Sequence, residues 1–299
     1  MSKTTLAHLA LIAAMCIYAL SFSLIKDVSP SHIAPLGFVL MRILGAAPLF
    51  WLSRLVIRER VENKDLPRLL LLSVFGVALN QSLFMTGMSR TVPISAAIIM
   101  ITSPLLVLVI GNIILRERIT LMRLSGILLG LGGAALLIIT GSSSSSKEDD
   151  ALGDLFIFIN ALSWGTYLVL VKPLMSKYHT VTILSWVFLF GGILVFPFGI
   201  QQLAVVDWAS FTGKHWFAVL FVVFGITFVA YLLNTYALSA LSPSVVSAYI
   251  YLQPLLAAAI ALWLGKDVMS WQKIVSALFI FTGVWLASRS AAPPSGSAR

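Results

Sequence analysis

Arg42 lies about ten residues into an apolar run over 33–53, the one full charge near the middle of any such run. An ionisable residue at that depth is a candidate anchor for a carboxylate or phosphate on a solute. A structural role is the alternative, in which the guanidinium binds carbonyls freed by a kink or snorkels toward a polar layer. All eleven Asp and Glu fall in turns, in a polar linker or at the ends of runs. That argues against exchange of protons for a cationic drug through a buried Glu, and against a membrane-embedded hydrolase. His8, His32, His179 and His215 also lie at run ends or in turns, so neither a metal cluster nor a Ser-His-Asp set is visible at depth. No catalytic residue, metal or cofactor is expected, and the chain does not read as an enzyme.

Polar and aromatic residues gather on single faces of other runs. Asn160, Trp164 and Tyr167 follow i, i+4, i+7 spacing and share one helix face. The first run aligns with this one through Lys26 and Lys172, which sets Tyr18 against Trp164 and Ser21 against Tyr167. Asn80, Gln81 and Phe84 form a third face, and Thr227, Tyr231 and Asn234 a fourth. Met100 and Ser103 sit beside Pro104, on a face that matches Tyr249 and Gln253 beside Pro254. Such faces are expensive in lipid and should point inward, although aromatic stripes also serve as packing or interfacial belts. A cavity lined by aromatics, amides and hydroxyls suits a small amphipathic solute.

The elements that must position these residues are membrane helices. Of 299 residues, 59% are hydrophobic and 10% charged, against about 25% charged in a soluble domain. The formal charge of +9 forms no basic stripe, so nucleic acid is not an expected partner; the lipid bilayer and a small-molecule substrate are. Ten apolar runs are long enough to span, over 6–26, 33–53, 68–88, 93–115, 121–140, 153–172, 180–201, 215–238, 243–264 and 271–288. The first lacks a convincing cleavage site and reads as a helix rather than a leader. Cys16 inside it can form no intramolecular disulfide, being the sole cysteine.

Pro93, Pro104-Leu105-Leu106, Arg116-Glu117 and Gly133 recur 150 residues later as Pro243, Pro254-Leu255-Leu256, Lys266-Asp267 and Gly283. Each copy closes a set of five runs. Five is odd, so the second set must enter the membrane upside down. The fold class is therefore all-α, ten transmembrane helices in two inverted five-helix repeats around a central cavity. The first repeat covers 1–140, a polar linker 141–152, the second repeat 153–290 and a disordered tail 291–299. Pro48, Pro104, Pro197 and Pro254 fall inside runs and should kink them, with Pro104 and Pro254 as hinges. Gly126, Gly130 and Gly133 have the spacing of close helix approach. With the N-terminus inside, thirteen Lys and Arg fall on the cytoplasmic side and six on the other, which places both termini in the cytoplasm.

The ten runs, Trp164-Gly165, and the pattern Pro-x10-Pro-Leu-Leu followed by Arg116-Glu117-Arg118 resemble the drug/metabolite transporter superfamily, specifically its EamA-type members, over approximately residues 6–288. Arg42 fits the family pattern; Lys266-Asp267 in place of Arg-Glu, and Tyr18 in place of a frequent Trp, depart from it. The resemblance implies a cavity lined chiefly by helices 1, 3, 4, 6, 8 and 9. It also implies export of amino acids and related metabolites, while other members move purines, cationic drugs, nucleotide sugars or phosphorylated sugars. Arg116-Glu117-Arg118 would cap and pair ions in a cytoplasmic turn. The expected function is a multi-pass exporter or facilitator of small metabolites in the plasma (inner) membrane, amino acids or analogues first, working by alternating access. The alternatives are an uptake or exchange carrier of an anionic metabolite anchored by Arg42, and a receptor or scaffold that does not transport. A monomer fits the sequence, which does not fix the oligomeric state.

Overall fold

A computed structural model describes residues 2–91, 93–116, 119–141, 150–263 and 270–289, and among them helices are joined by short connectors without a strand. Ten helical stretches are long and apolar enough to cross a membrane. The first two spans are α1 (Lys3–Val28) and α2 (Pro35–Ile57). The third joins α3 (Leu66–Ser73) to α4 (Leu79–Arg90), and the fourth joins α5 (Pro93–Met100) to α6 (Ser103–Leu115). The fifth, sixth and seventh are α7 (Leu121–Gly141), α8 (Ala151–Val171) and α9 (Thr180–Ala204). The eighth joins α10 (Gly213–Leu220) to α11 (Tyr231–Leu238), the ninth joins α12 (Pro243–Ala248) to α13 (Leu252–Trp263), and α14 (Trp271–Arg289) is the tenth. Side chains such as Ile113, Ile193, Phe198 and Leu278 stand exposed on the outside of the bundle, where lipid replaces water as solvent.

Four spans are broken, two of them at a proline. Pro104 has no N–H for the carbonyl of Met100 and its ring crowds that carbonyl, so α5 stops at Met100 and α6 restarts at Ser103. Pro254 acts in the same way on Ile250, and the chain there tightens into a 3-10 turn over Tyr249–Tyr251. The third and eighth spans instead loosen into π-wound segments at Val74–Ala78 and Phe221–Ala230, which the apolar pattern does not announce. Pro48 and Pro197, expected to kink their spans, remain inside unbroken α2 and α9. Those two helices pack along one another, where Ser185 Oγ donates to the carbonyl of Phe50 at 3.1 Å and Trp51 Nε1 to that of Ser185 at 3.1 Å.

The most extensive helix contact joins α7 to α14. A Cβ on Gly126 would lie 2.6 Å from the backbone nitrogen of Ala287, and one on Gly283 2.6 Å from the carbonyl oxygen of Gly126. Gly130 instead admits the ring of Tyr251. The small-residue spacing thus serves two neighbours. Contacts also exchange between the halves: α4 with α8 matches α1 with α11, and α6 with α8 matches α1 with α13. Several contacts have no counterpart of similar extent among the described residues: α5 packs on α8 and α3 on α9 without equal contacts of α12 on α1 or of α10 on α2. Helix α12, buried throughout, packs on α6, whereas α5 makes no comparable contact with α13 among the described residues.

Connectors tie the halves together at both ends. Lys177 pairs with Glu62 at 2.8 Å and with Asp65, whose carboxylate also accepts from the Tyr178 hydroxyl at 2.7 Å. At the other end, Gln202 Oε1 accepts from the backbone N–H of Leu36 and Gly37 at 2.9 and 3.0 Å, which satisfies donors left open at the start of α2. Near it the rings of His32 and His215 lie 4.2 Å apart. Glu117, Arg118, Lys266 and Asp267, and with them the expected capping and ion-pair turn, lie outside the described residues, as do most of the polar linker and the tail.

Gly283→Ala is expected to destabilise the protein by about 1–3 kcal/mol, because backbone would have to move to admit the methyl. Gly132→Ala, where nothing lies within 4 Å, serves as the control and should be neutral. Thermal unfolding in detergent measures both, and equal effects would refute close packing at Gly283. The ionic tie generates a pH prediction. Asp65 and then Glu62 hold the Lys177 ammonium above the usual lysine range, while Lys177 and then Lys64 hold Glu62 below the usual carboxylate range. The stabilisation by Glu62 is lost as pH falls through its lowered value, and that by Lys177 as pH rises through its raised one. Lys177→Met should therefore lower the thermal midpoint most between roughly pH 4 and pH 10, with the gap to wild type narrowing on both sides. A gap independent of pH would exclude the ionic origin.

Candidate functional site

The inner faces of seven spans enclose a cavity with about 870 Å³ of empty space, its mouth included. Helix α1 contributes Met15 and Tyr18, α2 Arg42, and α4 Asn80, Gln81 and Phe84. Met100 and Ser103 flank the break in the fourth span, and Asn160, Ala161 and Trp164 come from α8. The eighth span supplies Ile226, Tyr231 and Asn234, and the ninth Ile250 and Gln253. The third, fourth, eighth and ninth spans reach the cavity at or near their breaks. Irregular backbone is tolerated at membrane depth where it faces protein or a wet cavity.

Tyr231 organises one wall. Its hydroxyl donates to the carbonyl of Gly76 at 3.1 Å, within the π-wound segment, and accepts from Gln81 Nε2 at 3.2 Å. Gln81 is 2% exposed, and its Oε1 meets no donor. Asn160 and Asn80 exchange bonds across α4 and α8: Asn160 Nδ2 donates to the Asn80 carbonyl at 2.7 Å, and Asn80 Nδ2 to the Asn160 carbonyl at 3.4 Å. Asn234 Nδ2 donates to the Ala230 carbonyl at 2.9 Å and approaches the Tyr18 hydroxyl at 3.4 Å. Rings close the wall, with Trp164 meeting Tyr231 edge-on at 5.7 Å between centroids. Across the cavity, Gln253 Nε2 lies 3.5 Å from the sulfur of Met15.

Arg42 is 5% exposed and is the one formal charge in the lining. Its Nε donates to Thr227 Oγ1 at 3.0 Å, and no acidic side chain pairs with it among the described residues. A guanidinium presents five N–H donors, and Thr227 engages only the one on Nε.

Of the residues expected at the site, Tyr18, Arg42, Asn80, Gln81, Phe84, Met100, Ser103, Asn160, Trp164, Tyr231, Asn234 and Gln253 are brought together around this space. Two are turned elsewhere. Tyr167 is fully buried behind Trp164, its ring against Gly76 and its hydroxyl 3.3 Å from Thr235 Oγ1. The spacing that puts Tyr167 on one face with Trp164 still spreads the face over an arc wide enough to serve two neighbours. Tyr249 is bound to His8 Nδ1 at 2.6 Å. The 3-10 turn over Tyr249–Tyr251 advances roughly 20° more per residue than an α-helix, so Tyr249 and Gln253 diverge where regular winding would align them. The side chain of Ser21 lies outside the described residues. Met15, Ala161, Ile226 and Ile250 join the lining unannounced, since apolar residues in apolar helices carry no sequence signal.

Comparison with known proteins places this geometry in context. The family described as EamA-like transporters matches residues 5–139 and again residues 151–289. An uncharacterized transporter of Archaeoglobus fulgidus is 24% identical over 96% of this chain and 98% of its own length. The uncharacterized transporter YyaM of Bacillus subtilis is 23% identical over 82% of this chain and 81% of its own. A protein crystal structure with 16% sequence identity has the same fold, with a TM-score of 0.76 over 97% of this chain and 100% of that one. With two copies of the family domain filling nearly all of a ten-span bundle around an amphipathic cavity, this chain belongs to the EamA-like transporter family of the drug/metabolite transporter superfamily and is a multi-pass membrane transporter.

Proposed function

We propose that this protein is an exporter or facilitator of small metabolites, amino acids or their analogues first, in the plasma (inner) membrane with both termini cytoplasmic. One observation carries the substrate class. The cavity combines a single buried guanidinium with amide groups and aromatic faces, and no carboxylate lines it among the described residues. A carboxylate on the solute matches Arg42, its amine can donate to amide oxygens such as Gln81 Oε1, and its apolar part packs on Trp164, Tyr231 and Phe84.

Alternating access between two inverted five-helix halves is the proposed mechanism. The exchange of helix contacts between halves supports the symmetry, and the packing of α12 on α6 without an equal contact of α5 on α13 among the described residues supports a state closed at the α12 end and open where α5 and α13 separate. Breaks at Pro104 and Pro254 give α5 and α12 joints about which to move. With both termini inside, the open end faces outward. Facilitated diffusion or exchange suits a lining whose single formal charge is an arginine. A second reading, exchange of an anionic metabolite, is favoured by the lack of an acidic partner for Arg42.

Counterflow in proteoliposomes tests the proposal. Saturable exchange of at least one labelled amino acid or analogue is expected, whereas saturable binding without flux across a broad panel would identify a receptor. Arg42→Ala separates the two transport readings, because loss of an acidic solute with neutral solutes spared favours the anion carrier. Trp164→Ala should yield folded protein with flux reduced by about tenfold or with altered selectivity. Unchanged transport by that variant would sink the cavity assignment.

A further inference from the structure

A glycine brings α2 against the eighth span one turn beyond Arg42. A Cβ on Gly45 would lie 2.6 Å from Val223 Cγ1, inside the π-wound segment. That approach sets the Arg42 Nε within 3.0 Å of Thr227 Oγ1. The Thr227 proton is already committed, donated to the Val222 carbonyl five residues back at 2.8 Å. Its oxygen can therefore only accept from Arg42, and the guanidinium is held by one edge.

The second half repeats the scaffold without the charge. There Gly191 approaches Val77 in the other π-wound segment, with a Cβ placed 2.5 Å from Val77 Cγ1. Phe188 stands where the repeat aligns with Arg42, at the same offset that relates Gly45 to Gly191 and Val223 to Val77. The helix approach therefore does not need the guanidinium. A charge buried without a counter-ion among the described residues is costly in the membrane, and a guanidinium that the scaffold does not require points to a ligand.

We infer that Thr227 is a positioning residue that holds the Nε edge of Arg42, so that the remaining N–H donors form a fork in the cavity selective for a carboxylate-bearing solute. The inference rests on the reading of the cavity as a substrate site. Thr227 is fully buried and does not itself line the cavity, so it acts through Arg42. A planar fork prefers a carboxylate to the isosteric carboxamide because two charge-assisted bonds form with the former.

Phenylacetate and phenylacetamide serve as probes, because they share a ring for the aromatic wall and differ in the group offered to Arg42. Binding to the purified full chain is followed by isothermal titration. Wild type is expected to bind the acid about tenfold more tightly than the amide. Thr227→Val keeps the shape and removes the acceptor; it should reduce the preference to about threefold or less by weakening the acid more than the amide, and be rescued by Thr227→Ser. Arg42→Gln should abolish the preference. If Thr227→Val does not fold, Thr227→Ala against Thr227→Ser makes the same comparison. Absence of acid preference in wild type, including absence of binding by both probes, overturns the inference, as does a Thr227→Val protein that retains the full preference. Acid-selective binding without counterflow of any solute would instead refute transport and leave the clamp standing.

Discussion

Inside a bilayer no water completes the hydrogen bonds of a peptide group, so helices must satisfy their own backbone wherever lipid surrounds them. That constraint organises this protein. Eight α-helical half-segments come from four broken spans, and the breaks lie on the side turned to other helices or to the cavity. At one of them the freed geometry is used directly, because the Gly76 carbonyl in the π-wound part of the third span receives the Tyr231 hydroxyl. Disruption of the helical ladder and construction of the polar wall are thus one event. The unbroken α7 and α14 do the opposite work, approaching through glycine until backbone nearly touches backbone.

Duplication supplies a frame, and departures from duplication supply the chemistry. Gly45 and Gly191 bring equivalent helices together in the two halves, and Pro104 and Pro254 break equivalent spans. The cavity lining does not follow that symmetry: Arg42 is matched by Phe188, Gln253 by Ser103, and Trp164 by Tyr18. A site that recognises an asymmetric solute needs unmatched side chains. The packing of α12 on α6, without an equal contact of α5 on α13 among the described residues, shows that the two halves also differ in arrangement.

Much of the site was legible because polar and aromatic residues are conspicuous against apolar helices. Asn80, Gln81, Asn160, Trp164, Tyr231 and Asn234 were identifiable on that ground, and Arg42 by its charge at depth. Tyr167 and Tyr249 have the same visibility and do not reach the cavity, since each finds a hydrogen-bond partner on another helix, Thr235 and His8 respectively. Met15, Ala161, Ile226 and Ile250 were invisible for the converse reason. Thr227 shows its polar face in the sequence, but its bond to Arg42 depends on π-winding and on a glycine contact between helices far apart in the chain.

The sequence alone determined the number of spans, the duplication of the frame, the positions of the proline breaks and most of the polar residues near the centre. Each of these follows from composition, length or local backbone chemistry, which neighbours in the chain are enough to set. The tertiary structure decided the direction of each side chain, the two π-wound segments, the packing of α12 on α6 and the pairing of Arg42 with Thr227. Helical spacing states which residues share a face. Only packing states which neighbour that face meets, and a single 3-10 or π turn rotates everything beyond it.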